Sequence, residues 1–387
     1  MHVLMISLDS RLATEPDGDT VQRHRDYAAR AGSLTIIVYT PPGVGDARRL
    51  SDSLTVIPTN SRSRFTFVAD ALRLALDVSR QHRPDLITTQ DPFSTGLVGW
   101  LLRSRAKAPV LVQNHCYFID NDAWLAENPV KNHLFNRLGK FVSRRADVYR
   151  TVNKHEADTY LHHGGDPARV FTQPLGTASD AFAQPTAAAV AGVRERLGLR
   201  PAHKVVIWVG FPVGFKRVPL LLEAFRRVYA QQPDARLLLV GDLAKSADDL
   251  PALIRQHGLQ DAVLTPGFVS HDDLPAYYAV ADVFLMTSAY EGIPRVLMEA
   301  SAAGLPLVAF DRVGVREVIA DGQNGYLLPE GDLEGMAARV IDLLNDPQTA
   351  NQLGQHARAL SVERFSAAKN AQNVAAMWQQ AVTLGLR

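Results

Sequence analysis

The stretch from Val283 to Ala309 constrains the fold of this chain more than any other. Val283–Met286 is a short apolar run, the pattern of a strand buried on both faces. A polar elbow follows, and Pro294 then opens a segment of helix formers running to Ala303, with proline where only a first turn tolerates it. Gly304 suits the helix end, and Leu305–Phe310 reads as the next strand. Strand, loop, helix and strand in that order form the half-unit of a nucleotide-binding α/β sheet. Its loop brings a helix N-terminus to the carboxyl edge of the sheet, where ligands bind.

Two glutamates make this unit informative. Glu291 precedes the helix and Glu299 falls in its second turn. A carboxylate accepts two hydroxyl donors at once, so each suits a vicinal diol on a ribose or a sugar ring, and the first-turn amides between them suit a phosphate. The same spacing also allows a solvated Glu291 and a weak i,i+4 pair between Arg295 and Glu299.

The rest of the chain repeats the alternation. Strand-like runs at Val3–Leu8, Leu34–Tyr39, Leu54–Ile57, Leu86–Thr89, Val110–Gln113, Val148–Val152 and Val170–Thr172 are separated by helical stretches, which predicts a largely parallel sheet covered by helices. Gln173–Pro185, with two prolines and a glycine, reads as a linker. The rhythm then restarts, with strands expected at Val205–Val209, Arg236–Val240, Val263–Thr265, Val283–Met286, Leu307–Phe310 and Tyr326–Leu328, and a helix at Arg316–Ala320 among others. At 387 residues the chain exceeds one ordinary core. The expectation is α/β: two tandem Rossmann-like, doubly wound domains, residues 1–183 and 184–387, facing across a cleft. The tail is expected to be helical to Leu386. Helices from Gln348 onward, chiefly 366–387, are expected to cross back to the first domain.

Composition narrows the partners. Lys and Arg total 41 against 40 Asp and Glu, and a net charge of +1 gives no reason to expect nucleic acid. A single cysteine, Cys116, excludes a disulfide framework and a four-thiolate zinc site. Met1–Asp9 lacks a basic leader and reads as a first buried strand, and no apolar run approaches the roughly 20 residues that span a bilayer. A cytoplasmic protein, at most peripheral to a membrane, is expected. The candidate for such contact is 131–145, basic without acids and interleaved with Leu134, Phe135, Leu138, Phe141 and Val142; the same pattern also suits a helix packed on the sheet. Gly43-Val-Gly45 lacks the third glycine of a dinucleotide fingerprint and reads as a surface turn, and His155, His162 and His163 read as solvent-facing rather than as a zinc site. In Val209–Phe225, Lys216 and Arg217 stand just before a helix at the same sheet edge as Glu291, where a cation would neutralise a diphosphate.

With these residues assembled, the chain resembles the retaining nucleotide-sugar glycosyltransferases of family GT4, which have the GT-B fold. The resemblance covers nearly the whole length. Its strongest part is Ser288–Val308, where Glu291 and Glu299 bracket seven residues as in the family's E-x7-E motif, within E-G-x-P and E-A-x-A-x-G-x-P. Gly210 to Lys216, Val240-Gly-Asp242, Pro266–Val269, Asp321–Pro329 and Pro174–Phe182 also match. The resemblance implies that Glu299 holds the ribose hydroxyls and Glu291 those of the transferred sugar. Gly292 and the backbone of Arg295, Val296 and Leu297 would meet phosphates or sugar, Lys216 beside Gly210 the diphosphate, and Gly267 and Val269 the base. His115 would face the sugar and act with Lys216 and Glu291 in catalysis.

Two departures stand out. Phe211 occupies a place where the family has arginine, so the second cation is expected from Arg217 or Arg295. Gly18 is the best match to the family's first glycine loop, and Asp19 is expected to turn toward the acceptor. The implied activity is transfer of a hexose-type sugar from an NDP-sugar, UDP- or GDP-linked, to a hydroxyl of a sugar, lipid-linked or small-molecule acceptor. The donor is a co-substrate, and neither a cofactor nor a metal is expected. An NDP-sugar epimerase and a catalytically silent nucleotide-sugar-binding module are the alternatives.

Overall fold

The structure, a computed structural model, describes residues 1–177 and 179–385. Ala178, inside the Pro174–Phe182 match, and Leu386, the expected end of the last helix, lie outside the described residues. The chain divides into two compact units, Met1–Gly176 with the chain from Ala367 onward, and Thr177–Ser366.

In the first unit β1 (His2–Ser7), β2 (Ser33–Val38), β3 (Arg48–Arg49), β4 (Leu54–Pro58), β5 (Leu86–Thr89), β6 (Val110–Asn114), β7 (Val148–Thr151) and β8 (Val170–Thr172) form one sheet in the order β3-β4-β2-β1-β5-β6-β7-β8. All pairs are parallel except that of β3, two exposed arginines with no apolar signal, which runs against β4. Alternate residues serve opposite faces. Val3, Met5 and Ile36 join a core with Tyr27 and Leu12, whereas Leu4, Ile6 and Ile37 join another with Phe67 and Val98. Burial on both faces is why these strands read as continuous apolar runs rather than alternating ones.

In the second unit β9 (Lys204–Val209), β10 (Ala235–Val240), β11 (Val263–Gly267), β12 (Val283–Met286), β13 (Leu307–Phe310) and β14 (Gly325–Leu328) lie in the order β11-β10-β9-β12-β13-β14, all parallel. Each sheet therefore reverses its winding once, between β1 and β5 in the first unit and between β9 and β12 in the second. Such a switch point is where an open α/β sheet binds ligand at its carboxyl edge.

The domain expectation needs two corrections. The boundary falls at Gly176, not at 183. Phe182 is fully buried in the second unit, edge-on to His271 and Tyr278, so a stretch whose composition is that of a linker is anchored by its one large apolar side chain. The helix Pro347–Phe365 also stays in the second unit, where Ser361 Oγ donates to Met298 O and Arg358 Nε to Ala302 O. Only the following helix, Ala367–Gly385, joins the first unit: Ala371, Val374, Met377, Trp378 and Ala381 enter its core, and Asn370 Oδ1 accepts from Tyr27 Oη at 2.8 Å. The expected helix Arg316–Ala320 is a run of turns. Gly43 and Gly45 lie in a turn, with left-handed φ. His163 is not simply solvent-facing; it contacts Asp120, which also pairs with Lys140 at 2.5 Å.

One buried histidine predicts acid sensitivity. His24, on the helix Asp19–Ala31, has Nδ1 against Thr20 O at 2.7 Å, and burial, reinforced by Arg23, lowers its pKa from 6.5 to about 4. Between those values the unfolded chain binds a proton that the folded one does not. Stability is therefore complete above pH 6.5 and falls as the pH drops toward 4, by on the order of 3 kcal/mol. Urea titrations across this range should show the slope in the wild type and a shallower one in His24→Gln.

Candidate functional site

The second switch point gathers the expected residues. After β9 the chain turns through Gly210, whose N–H donates to Val240 O at 3.0 Å, and closes on a single helical turn, Gly214–Lys216. Gly210 is pressed against the loop after β10: a Cβ on Gly241 would lie 1.9 Å from Gly210 O, so the two loops pack backbone to backbone. After β12, Thr287 Oγ1 lies 3.1 Å from the carbonyls of both Lys216 and Arg217. Ala289 N–H donates to Phe215 O at 2.7 Å, and Phe215 stacks on Tyr290. These bonds clamp the β9 and β12 loops together. Lys216 Nζ thereby meets Glu291 Oε1 at 2.5 Å, with side chains only 14% and 10% exposed. A near-buried ion pair thus spans the point where the sheet reverses.

Glu299 lies beside this pair on the following helix. Pro294 is its N-cap rather than its first residue, and the helix runs Arg295–Ala303, ending at left-handed Gly304. The Glu299 side chain is 3% exposed. Its Oε2 accepts from Tyr278 Oη at 3.1 Å, its Oε1 is 3.2 Å from Arg295 Nε, and His271 Nε2 lies 3.6 Å away. The i,i+4 pair allowed by the sequence does form, but on a buried carboxylate. Burial and the Glu299 charge raise the Tyr278 hydroxyl well above its usual range, which keeps it a donor to Glu299. Tyr278 Oη also reaches Val296 O at 3.2 Å. Leu297 N–H donates to Pro294 O at 3.1 Å within the first turn.

The remaining expected residues take varied places. Gly267 ends β11 with left-handed φ and accepts from Gly241 N–H at 3.0 Å; Val269 follows, half-buried. Gly292 is buried beneath Gly314, whose Cβ would lie 1.9 Å from Gly292 O. Arg217 is left-handed (φ 50°), a conformation that favours glycine, and its guanidinium pairs with Glu330, which Arg312 also contacts. In this arrangement neither Arg217 nor Arg295 stands as a spare cation at Phe211, because each holds a carboxylate. Lys245 Nζ instead lies 4.4 Å over the Phe211 ring.

Gly18 and His115 belong to the first unit. Gly18 caps the helix Asp19–Ala31, and His115 follows β6 with Nε2 2.8 Å from Gln90 Oε1. Tyr278, His271, Thr287, Phe182 and Gly314 escaped sequence reasoning. Each acts through a residue distant in sequence, and only Phe182, an apolar residue in a small-residue linker, carried a local signal.

Comparison with known proteins bears on this geometry. The profile of glycosyl transferases group 1 matches residues 193–374, and that of the glycosyl transferase 4-like domain matches residues 23–176. An alpha-D-kanosaminyltransferase of Streptomyces kanamyceticus is 32% identical over 283 residues, covering 70% of either chain. The chain belongs to the group 1 glycosyl transferases, family GT4. It is therefore a glycosyltransferase, and nothing found favours the epimerase or the silent binding module. Sucrose-phosphate synthase of Thermosynechococcus elongatus superposes with a TM-score of 0.82 at 22% identity over 99% of both chains. Anabaena HepE, in complex with UDP-glucose, gives 0.79 at 19% over 98% of this chain and all of the other. These likenesses establish the GT-B fold.

Proposed function

We propose that this glycosyltransferase takes a hexose-type sugar from an NDP-sugar and transfers it with retention, without a metal, to a hydroxyl of a glycan, glycolipid or small-molecule acceptor. The Lys216–Glu291 pair across the second switch point is the observation that carries this reading. A ligand with diol, diphosphate and diol in line satisfies the whole edge. Glu299, already oriented by Tyr278, takes the ribose hydroxyls. Glu291 takes those of the sugar, and Lys216, with the amides that open the Arg295 helix, takes the diphosphate. As the C1–O bond breaks, charge grows on the diphosphate, and a cation preorganised among low-exposure groups stabilises it most in the transition state. The chemistry ascribed to a metal is thus supplied by Lys216 and the helix N-terminus, and the leaving phosphate deprotonates the acceptor on the same face. HepE, bound to UDP-glucose, supports a nucleotide-sugar donor.

We also propose a cytoplasmic location at a membrane face. On the helix Pro129–Ser143, Phe141 and Val142 pack on the first unit's core, whereas Val130 and Leu134 are 86% and 65% exposed beside Lys131. No helix among the described residues is long and apolar enough to cross a membrane.

A thermal-shift series with UDP- and GDP-sugars tests the donor assignment. At about 100 times Kd a ligand adds roughly 2.7 kcal/mol, several degrees of Tm for a chain of this size. Glu299→Ala should remove the shift. With the responding donor, NMR of the product formed in excess EDTA should show the donor's anomeric configuration. No shift with any nucleotide or nucleotide-sugar defeats the reading, and an inverted product or loss of turnover in EDTA defeats the retaining or metal-free part.

A further inference from the structure

The first unit has its own switch point, and its charge is unbalanced. The carboxyl ends of β1, β5, β6 and β7 are neighbours there. They present Asp9, Gln90, His115 and Arg150, and the helix Asp19–Ala31 adds Arg23 and His24. Arg150 is 3% exposed, with no carboxylate in contact among the described residues; it donates to Gln113 Oε1 and to the carbonyls of Gln173 and Pro174. Burial lowers its pKa to about 10, still fully cationic at neutral pH. Arg23 is half-buried and makes no hydrogen bond or ion pair among the described residues. Its charge bears on Asp9, His24, Tyr27, His115 and Arg150. His115 Nδ1 is buried without a hydrogen-bond partner among the described residues.

The carboxylates within reach offset this only in part: Glu156 bears on Arg150, and Asp19 opens the helix that carries Arg23. Asp9 is held by Arg11 through two bonds of 2.8 and 2.7 Å, Asp26 accepts from Gln22, and Glu156 accepts from Asn153. Two guanidinium groups with no assigned counter-ion, one buried and one half-buried, are costly to hold together unless an anion completes them. The first helical turn after Gly18 adds a partial positive charge to the same edge.

We propose that this edge of the first unit binds an anionic group, a phosphate or a carboxylate, carried by the acceptor. Arg23 is the contact residue. Arg150 supplies fixed positive potential from behind, because its donors are already committed. Neutral His115, held so by burial and by Arg150 and Arg23, offers Nδ1 to a neighbouring hydroxyl of the same molecule. Ownership by the acceptor rests on the glycosyl-transfer reading above; the anion site itself does not. The source that must be told apart is the donor's diphosphate, which has the same chemistry.

The experiment uses the full chain, first saturated with the nucleoside diphosphate that shifts its Tm. Glycerol 3-phosphate and glucuronate are then titrated against their neutral counterparts, glycerol and glucose. The anionic members should raise Tm further and the neutral ones should not. Arg23→Gln should weaken anion binding roughly ten-fold, the scale of one lost charge-assisted hydrogen bond, with the nucleotide shift retained. Arg23→Lys keeps the charge and should restore most of the anion binding, which separates charge from a folding defect. Equal response to charged and neutral probes, or an anion response unchanged in Arg23→Gln, overturns the site. Loss of the nucleotide shift in Arg23→Gln, with Arg23→Lys restoring it, gives the cation to the donor and overturns the acceptor assignment. No nucleotide shift in the wild type counts against the proposed function instead, and the anion titration on the free chain still decides this site.

Discussion

Lys216→Ala is expected to lower kcat by roughly 10²–10³-fold, the scale seen when one preorganised group is withdrawn from a developing oxyanion. Lys216 is rigid for reasons its neighbours provide: Thr287 caps its carbonyl, Phe215 is fastened to Ala289, and Glu291 holds the ammonium at 2.5 Å. Stability should fall too, by about 1–3 kcal/mol, because Glu291 loses its partner where water reaches it poorly. The two effects can be separated. In the double variant Lys216→Ala/Glu291→Gln the orphaned charge is gone, so chemical-denaturation midpoints should recover while kcat stays low. A double variant that regained turnover along with stability would show the pair to be only structural. Lys216→Arg should fold well and keep part of the rate, since the charge survives but not its position.

Gly314→Ala is expected to be nearly as damaging, although residue 314 would touch no substrate. A Cβ there would lie 1.9 Å from Gly292 O and 2.7 Å from Glu291 O, so the backbone carrying Glu291 must move. Because neither contact is with a flexible side chain, about 2–4 kcal/mol of destabilisation or an equivalent loop shift follows. The loop is the softer element, and kcat/KM should fall at least about ten-fold, as displacement of a reacting group by an ångström does. Nucleotide affinity should change less, because Glu299 is oriented by Tyr278 on a different segment. Comparing UDP or GDP shifts with donor turnover in this variant checks it; equal loss of both would mean that the 314 turn supports the whole site.

Much of this protein was legible in the chain. Val283–Met286 and Leu307–Phe310 occur as strands with the expected limits, because a strand buried on both faces is a bare apolar run bracketed by turn residues. Glu291, Glu299 and Lys216 could be picked out because local spacing places them at loop ends and on a helix turn. The failures share a cause as well. Residues 179–183 read as linker, yet they belong to the second unit, where Phe182 is buried. The helix expected at Arg316–Ala320 gives way to turns beside Gly314, whose close packing on Gly292 is visible only in three dimensions.

By itself, then, the sequence determined the two parallel sheets, the helix that presents Glu291 and Glu299, and the family, because these depend on periodicity and spacing within a few dozen residues. Tertiary structure decided which charges meet. Lys216 was paired with Glu291 and Arg217 with Glu330, while Arg23 was left without a carboxylate partner among the described residues. Pairing across a switch point joins loops far apart in sequence, and its strength depends on burial and a few tenths of an ångström, quantities that no local pattern of residues encodes.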